Sequence, residues 1–426
     1  MVDFTLSPAE ATVRDTARVF AKQHLSGAKA LYCVLPSNVD RFQAMRPIYE
    51  EAVRLGLVRA MIPPALGGSS GSLLEMTLTV EECYAVDPTA SLTIFATGLG
   101  LTPLLSAWRP GLEEFLQPFL KPEGAPLASL VFSEPGGVAN WLEPGAPGLQ
   151  TTAHREGDEW VLSGEKIWAT NSAGWDFRGP DLGCVVCRCT DADIVKSATT
   201  PADLIMILIV TRDDIERART GSFEVLRHPD MPGHTAVSGP HIRFDQLRLP
   251  AKNLLCPPGT GAPIVNGAFT MSACLVGAMG TGLQRAIFDA ALTFARTQTR
   301  GGSVPIIQHQ SVANLLIDIK MRTETSRYLT WKSAHCLVSG PGMPDQRREL
   351  ALEAKIYCSD AAVKSAMDAI NLVGISAYDT AAPFTSFLND AMVLPIFDGG
   401  NVGIRRRDLQ SLFMSANYDP WATSVE

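Results

Sequence analysis

The chain has 426 residues, 46% of them apolar and 19% charged, with 36 Lys and Arg against 44 Asp and Glu for a formal charge of −8. At roughly 150 residues per domain this predicts about three domains around a large core, and it excludes disordered, collagen-like and coiled-coil classes. An acidic chain without a basic tail does not suit a protein that neutralises nucleic-acid phosphates, whereas small or weakly charged ligands fit.

Residues 1–125 read as helices. Ser7-Pro8-Ala9-Glu10 is a capping box with Pro at the first helical position, since the Ser and Glu side chains satisfy free backbone donors at a helix start. Phe42, Met45, Ile48, Ala52 and Leu55 recur at three- and four-residue spacing, which predicts one buried face. Gly67 to Gly71 interrupts the pattern and Leu73 to Val86 resumes it. Residues 126–258 change to short extended runs between turns: Pro126 to Phe132, Glu159 to Ser163, Cys184 to Cys189, Leu204 to Thr211, Ser222 to Leu226 and His241 to Phe244. That spacing predicts an antiparallel sandwich or barrel. The polar stretch Thr190 to Ala202 reads as a surface loop. Residues 259–426 return to the helical period, through Met271 to Ala295, Gln308 to Leu337 and Leu350 to Val373.

Nine cysteines, an odd number in a chain with a large core, read as reduced thiols. Cys184 and Cys187 lie in an apolar run with no second pair at zinc-ligand spacing, so they read as buried strand thiols. The histidines show no metal-ligand spacing either. The longest unbroken apolar run, Leu204 to Val210, is far short of the ~20 residues that span a bilayer. Neither a secretory signal at Met1-Val2-Asp3-Phe4 nor a peroxisomal tripeptide at Ser424-Val425-Glu426 is read. The expectation is an intracellular, cytoplasmic protein with neither a membrane nor a nucleic-acid partner.

Two stretches carry chemistry. One is Ser133-Glu134-Pro135-Gly136-Gly137 together with Gly164-Glu165-Lys166-Ile167-Trp168-Ala169-Thr170-Asn171; the other runs from Pro395 through Asp398-Gly399-Gly400-Asn401 to Arg405-Arg406-Arg407. The first resembles the T-E-P-G-x-G and G-x-K-x-W-I-T-N segments of the acyl-CoA dehydrogenase superfamily of flavoproteins, and the resemblance covers nearly the whole chain. It implies an α+β fold with an N-terminal helical domain, a middle β-sandwich or barrel domain and a C-terminal four-helix-bundle domain around FAD. Carried over by position, Leu130, Phe132, Ser133, Val138, Ala139, Asn140, Trp168 and Thr170 would contact the flavin. An aromatic face and a hydroxyl beside a reducible ring hold it and tune its electronics. Arg300, His309, Gln310, Val373, Gly374, Gly399 and Gly400 match further cofactor positions, with the Arg300 fork suited to phosphates and the glycines to close backbone approach.

The second stretch resembles the family's I-Y-E-G-T segment, whose Glu removes the substrate α-proton, but Asp398 stands in that place. The carboxylate is drawn back by ~1.5 Å, a displacement that matters to proton abstraction. With Ala139-Asn140-Trp141, Arg300-Gly301-Gly302-Ser303, Met1-Val2-Asp3-Phe4 and Tyr418-Asp419-Pro420-Trp421, it is similar to the nitroalkane oxidase branch. That branch implies Asp398 as base on the nitro-bearing carbon, Arg405 holding the carboxylate and Ser272 hydrogen-bonding it. Carbanion attack on flavin N5 and reoxidation by O2 would then yield an aldehyde or ketone, nitrite and hydrogen peroxide. A homotetramer is implied as well. An acyl-CoA dehydrogenase or oxidase using Asp398 on a thioester, and a flavin-fold scaffold without turnover, are the alternatives. Ordinary readings stand beside these: Ser272 bonded back to its own backbone, and Arg406 and Arg407 as a solvated helix face or helix-end salt bridges.

Overall fold

Ser7 accepts from the Glu10 backbone N–H and Glu10 reaches back to Ser7, so the expected box starts α1 (Pro8–Phe20). In the computed structural model the described residues are 5–424. Met1 to Phe4, with Val425 and Glu426, on which the targeting expectations and one segment of the resemblance rest, lie outside the described residues. The N-terminal helices continue as α2 (Ala28–Tyr32), α3 (Asn38–Ala44), α4 (Arg46–Arg54), α5 (Leu73–Tyr84), α6 (Pro88–Ser106) and α7 (Glu113–Leu120). Phe42, Met45, Ile48 and Ala52 are buried as their spacing requires, divided between α3 and α4, whereas Leu55 is exposed beyond the end of α4.

The strands are β1 (Ala128–Val131), β2 (Thr152–Glu156), β3 (Glu159–Lys166), β4 (Leu182–Cys189), β5 (Ile205–Val210), β6 (Phe223–Arg227), β7 (His241–Pro250) and β8 (Leu254–Cys256). They form one hydrogen-bonded sheet in the order β6-β7-β3-β2-β4-β5-β8, with β1 beside β4. The purely antiparallel expectation needs correcting at β4, which pairs in parallel with both β1 and β2. The Thr190 to Ala202 stretch is not plain loop: it holds α8 (Ala192–Ser197), and α9 (Arg212–Arg217) follows β5. Strand β4 is buried on both faces. Cys184 points into the large core shared with the helices and Cys187 into a second core on the other side of the sheet, as alternation along a strand dictates.

The C-terminal part comprises α10 (Gly261–Thr297), α11 (Gln310–Ser339), α12 (Pro344–Val373), α13 (Phe384–Val393) and α14 (Arg406–Phe413). Helix α10 packs along α11, α12 and α5 and so joins the two helical regions. By length and composition α6 and α10 are apolar enough to cross a bilayer, although neither holds a long unbroken apolar run. Their most apolar stretches are 72% and 61% buried in this fold, as expected of core helices.

Candidate active site

The sheet side of the site is built where β1 and β3 end. Ile167 donates its backbone N–H to the Ser133 carbonyl at 3.0 Å, and the Lys166 ammonium donates to the Phe132 carbonyl at 2.8 Å and to Glu134 at 3.0 Å. Glu134 also accepts the backbone N–H groups of Gln150 and Thr151, at 2.7 and 2.9 Å. The pair is almost fully enclosed. Burial pushes the Glu134 carboxyl upward, but Lys166 and the two backbone donors outweigh it and hold the group below its ordinary range. These two residues stood inside the recognised motifs without an assigned role; opposite charges in otherwise apolar segments were the available signal.

Trp168 follows with a left-handed φ of 66° and leaves 52% of its surface uncovered. The Thr170 carbonyl accepts from Ser129 at 2.7 Å. Asn171, buried and also left-handed, donates to the Thr93 carbonyl of α6 at 3.0 Å. Asn171 Oδ1, Ser172 Oγ and Ser238 Oγ are buried polar atoms without partners among the described residues. An uncovered indole and unsatisfied polar atoms, beside the buried apolar Leu130 and Phe132, fit a flat heteroaromatic ring with hydrogen-bonding edges. FAD therefore fits the residues present.

The opposing side is a turn after α13. Asp398 takes φ 52° and Gly399 φ 75°, two successive left-handed residues. Arg405, only 3% exposed, donates through Nε and Nη2 to the Asp398 backbone carbonyl at 2.8 and 2.5 Å, and through Nη1 to Asp408 at 3.0 Å. Arg405 thus reaches the expected base through its main chain, where a bond to the carboxylate was expected. Burial draws the guanidinium down from its ordinary value, while Asp408 and Asp398 draw it up. A Cβ on Gly399 would sit 2.7 Å from that guanidinium, so the glycine makes room for Arg405 and not primarily for a cofactor. Beneath the turn, buried Lys355 of α12 donates to the Gly399 carbonyl at 3.2 Å and to Asn401 Oδ1 at 2.6 Å. Its ammonium is pushed down to about 8 by burial, with Arg405 adding to this and Asp398 and Asp360 opposing it.

Phe269 of α10 connects the two sides: its ring lies 5.6 Å from that of Phe132 and 5.5 Å below the Arg405 guanidinium. Ser272, one turn on and buried, donates to the Phe269 carbonyl at 3.2 Å, the helix-internal bond expected of a serine in an apolar helix. Arg407 is exposed, in keeping with the solvated-face reading, and donates to the Ala139 carbonyl and, at 2.7 Å, to Asn140 Oδ1. Arg406 lies exposed at 3.5 Å from Asp360. Val138 is half-buried and packs on the core.

A separate group gathers Arg300, which donates to the Val373 carbonyl and to Ser376 at 2.9 Å and stacks over Phe294. Gly374 beside it is open and left-handed. His309 and Gln310 are exposed at the start of α11, where Gln310 bonds Asn314 at 2.8 Å. Among the described residues no hydrogen bond or ion pair joins this group to Asp398.

Fold and site together define a flavoprotein of the acyl-CoA dehydrogenase class: the acyl-CoA dehydrogenase N-terminal domain matches residues 7–121 and the C-terminal domain residues 259–411. Nitroalkane oxidase from Podospora anserina is 57% identical over 424 residues, covering 99% of this chain and 98% of that protein. A solved structure of Podospora anserina nitroalkane oxidase superposes at a TM-score of 0.97, with 56% identity and 100% of both chains covered. Other solved nitroalkane oxidase structures, 47% identical and covering 99% of both chains at a TM-score of 0.95, include an active-site mutant crystallized with 1-nitrooctane and one addressing the roles of an arginine and an aspartate in the reaction. The chain belongs to the nitroalkane oxidase family.

Proposed function

We propose that this chain oxidises nitroalkanes with FAD and O2. A primary nitroalkane, O2 and water give an aldehyde, nitrous acid and hydrogen peroxide; a secondary one gives a ketone. The observation that carries the reading is the Asp398 turn, whose left-handed backbone is gripped at the Asp398 carbonyl by a buried guanidinium. A nitro group strongly acidifies its neighbouring C–H, so a well-placed aspartate suffices as base. Asp398 takes that proton. Arg405 holds the turn and keeps positive charge beside the developing carboxyl–substrate pair, and Phe269 and Phe132 supply an apolar wall that excludes water from the reacting carbon. Ser272, whose hydroxyl donates to the Phe269 carbonyl, would be the second group to hydrogen-bond the base. Bound FAD would supply the two-electron acceptor, and the Trp168 and Thr170 side of the site would hold its ring, with Arg300, Val373 and Gly374 serving a phosphate-bearing part.

Assembly as a homotetramer is part of the proposal. It is supported by large apolar side chains left uncovered on the C-terminal part, among them Ile375 at 84% and Val402 at 85% exposure. Nine free cysteines support an intracellular, cytoplasmic setting. Supplying short primary nitroalkanes and assaying nitrite and hydrogen peroxide tests the reaction. Stoichiometric release of both is expected; flavin bleaching by an acyl-CoA without nitrite would overturn it. Light scattering tests the tetramer.

A further inference from the structure

The carbonyls of two successive residues, Asp398 and Gly399, are each held by a different buried cation. Arg405 takes the first, at 2.8 and 2.5 Å, and Lys355 the second, at 3.2 Å. The Lys355 ammonium is itself aimed by Asn401 Oδ1 at 2.6 Å. Asn401 is fixed in turn, its Nδ2 donating to Ser359 at 3.0 Å and Asp360 at 2.8 Å on the same helix as Lys355. No carboxylate lies within ion-pairing distance of Lys355 among the described residues; Asp398 and Asp360 act on its charge only from further away. A fully buried lysine spent on a main-chain carbonyl and an amide is an expensive arrangement for structure alone, because an apolar residue would fill the space without desolvating a charge.

We propose that Lys355 is a positioning residue for proton abstraction: with Arg405 it holds the two successive carbonyls of the left-handed Asp398-Gly399 turn and so fixes where the Asp398 carboxylate meets the substrate carbon. The proposal rests on Asp398 being the base. In the step concerned, the C–H bond breaks, the proton goes to a carboxylate oxygen of Asp398, and the electron pair passes into the nitro group to give the nitronate. A turn freed at one carbonyl can shift by a fraction of an ångström to an ångström, and misplacement on that scale costs up to about 100-fold in rate.

The test compares a neutral nitroalkane, nitroethane, with its preformed nitronate, which needs no base. Wild-type turnover of both forms establishes the reaction first; failure on both overturns the proposed reaction and the inference with it, and is told apart because it arises without any substitution. Against that background Lys355→Met, with FAD content and melting temperature recorded, is expected to oxidise neutral nitroethane about 10- to 100-fold more slowly. Its rate on the nitronate should fall far less. Lys355→Arg should recover part of the loss, and Asn401→Ala, which leaves the lysine but removes its guide, should shift the neutral-to-nitronate ratio in the same direction. An unchanged ratio in both Lys355→Met and Asn401→Ala would overturn the proposal, whether or not overall activity falls.

Discussion

The two buried lysines on opposite sides of the site solve the same problem differently. Lys166, on the sheet side, is paired at 3.0 Å with Glu134, whose remaining lone pairs are taken by backbone N–H groups. Its charge is cancelled on the spot, and what the pair accomplishes is to lock the Phe132–Glu134 segment to the end of β3. Lys355, on the helical side, meets only a carbonyl and a carboxamide oxygen. Its field remains available to the turn that bears Asp398. A contact ion pair therefore builds a wall, whereas a buried cation without a contact counter-charge, beside the turn proposed to carry the base, would influence the chemistry as well as the geometry.

The sharpest way to break this comparison is Asp398→Asn. If the helical side performs the proton transfer, an amide cannot take the proton, and reduction by neutral nitroalkane should fall by about 10²–10⁴-fold while absorbance spectra report unchanged FAD content. Retained activity would move the base elsewhere. Lys166→Met comes next, because it strands the buried Glu134 carboxylate; chemical denaturation should register a loss of about 3–5 kcal/mol. The neutral-to-nitronate ratio should stay near wild type in that variant, in contrast to Lys355→Met. Gly399→Ala then asks how closely the clamp fits: the added methyl meets Arg405 at 2.7 Å on a backbone with φ 75°. Strain of about 1–3 kcal/mol is expected in unfolding measurements, with slower proton abstraction. Arg407→Ala has the smallest effect. It frees the Ala139-Asn140 loop from an exposed contact, and FAD retention should weaken by no more than about fivefold, or ~1 kcal/mol, in equilibrium dialysis.

Much of this arrangement is legible in the sequence. Motif-borne residues such as Asp398, Trp168 and Thr170 announced themselves because their neighbours form unusual strings, and helix starts such as Ser7 to Glu10 are encoded within four residues. What escaped was relational. Strand β2 carries a single fully buried side chain, Ala153, and β8 has three residues, so neither generates an alternating pattern long enough to read. The parallel pairing of β4 with β1 and β2 depends on crossovers that periodicity does not record. Lys355 sits in a helix stretch that reads as ordinary, and its partner Asn401 is 46 residues away. Even Arg405, found by position, was expected at the carboxylate and met the carbonyl, because side-chain direction follows from the turn's left-handed backbone.

Helix α10 has a consequence for how the chain is made. Its 37 residues carry both Phe269 and Ser272, and its burial depends on α11 and α12, which are synthesised after it, as well as on α5, which precedes it. On the ribosome a helix apolar enough to suit a bilayer must therefore wait for at least the next 76 residues, through Val373, before its later partners exist. During that interval its uncovered face is a target for holding chaperones and a seed for aggregation. Refolding yield from denaturant should accordingly fall steeply with protein concentration, and a chain truncated before α11 should be recovered mainly in the insoluble fraction.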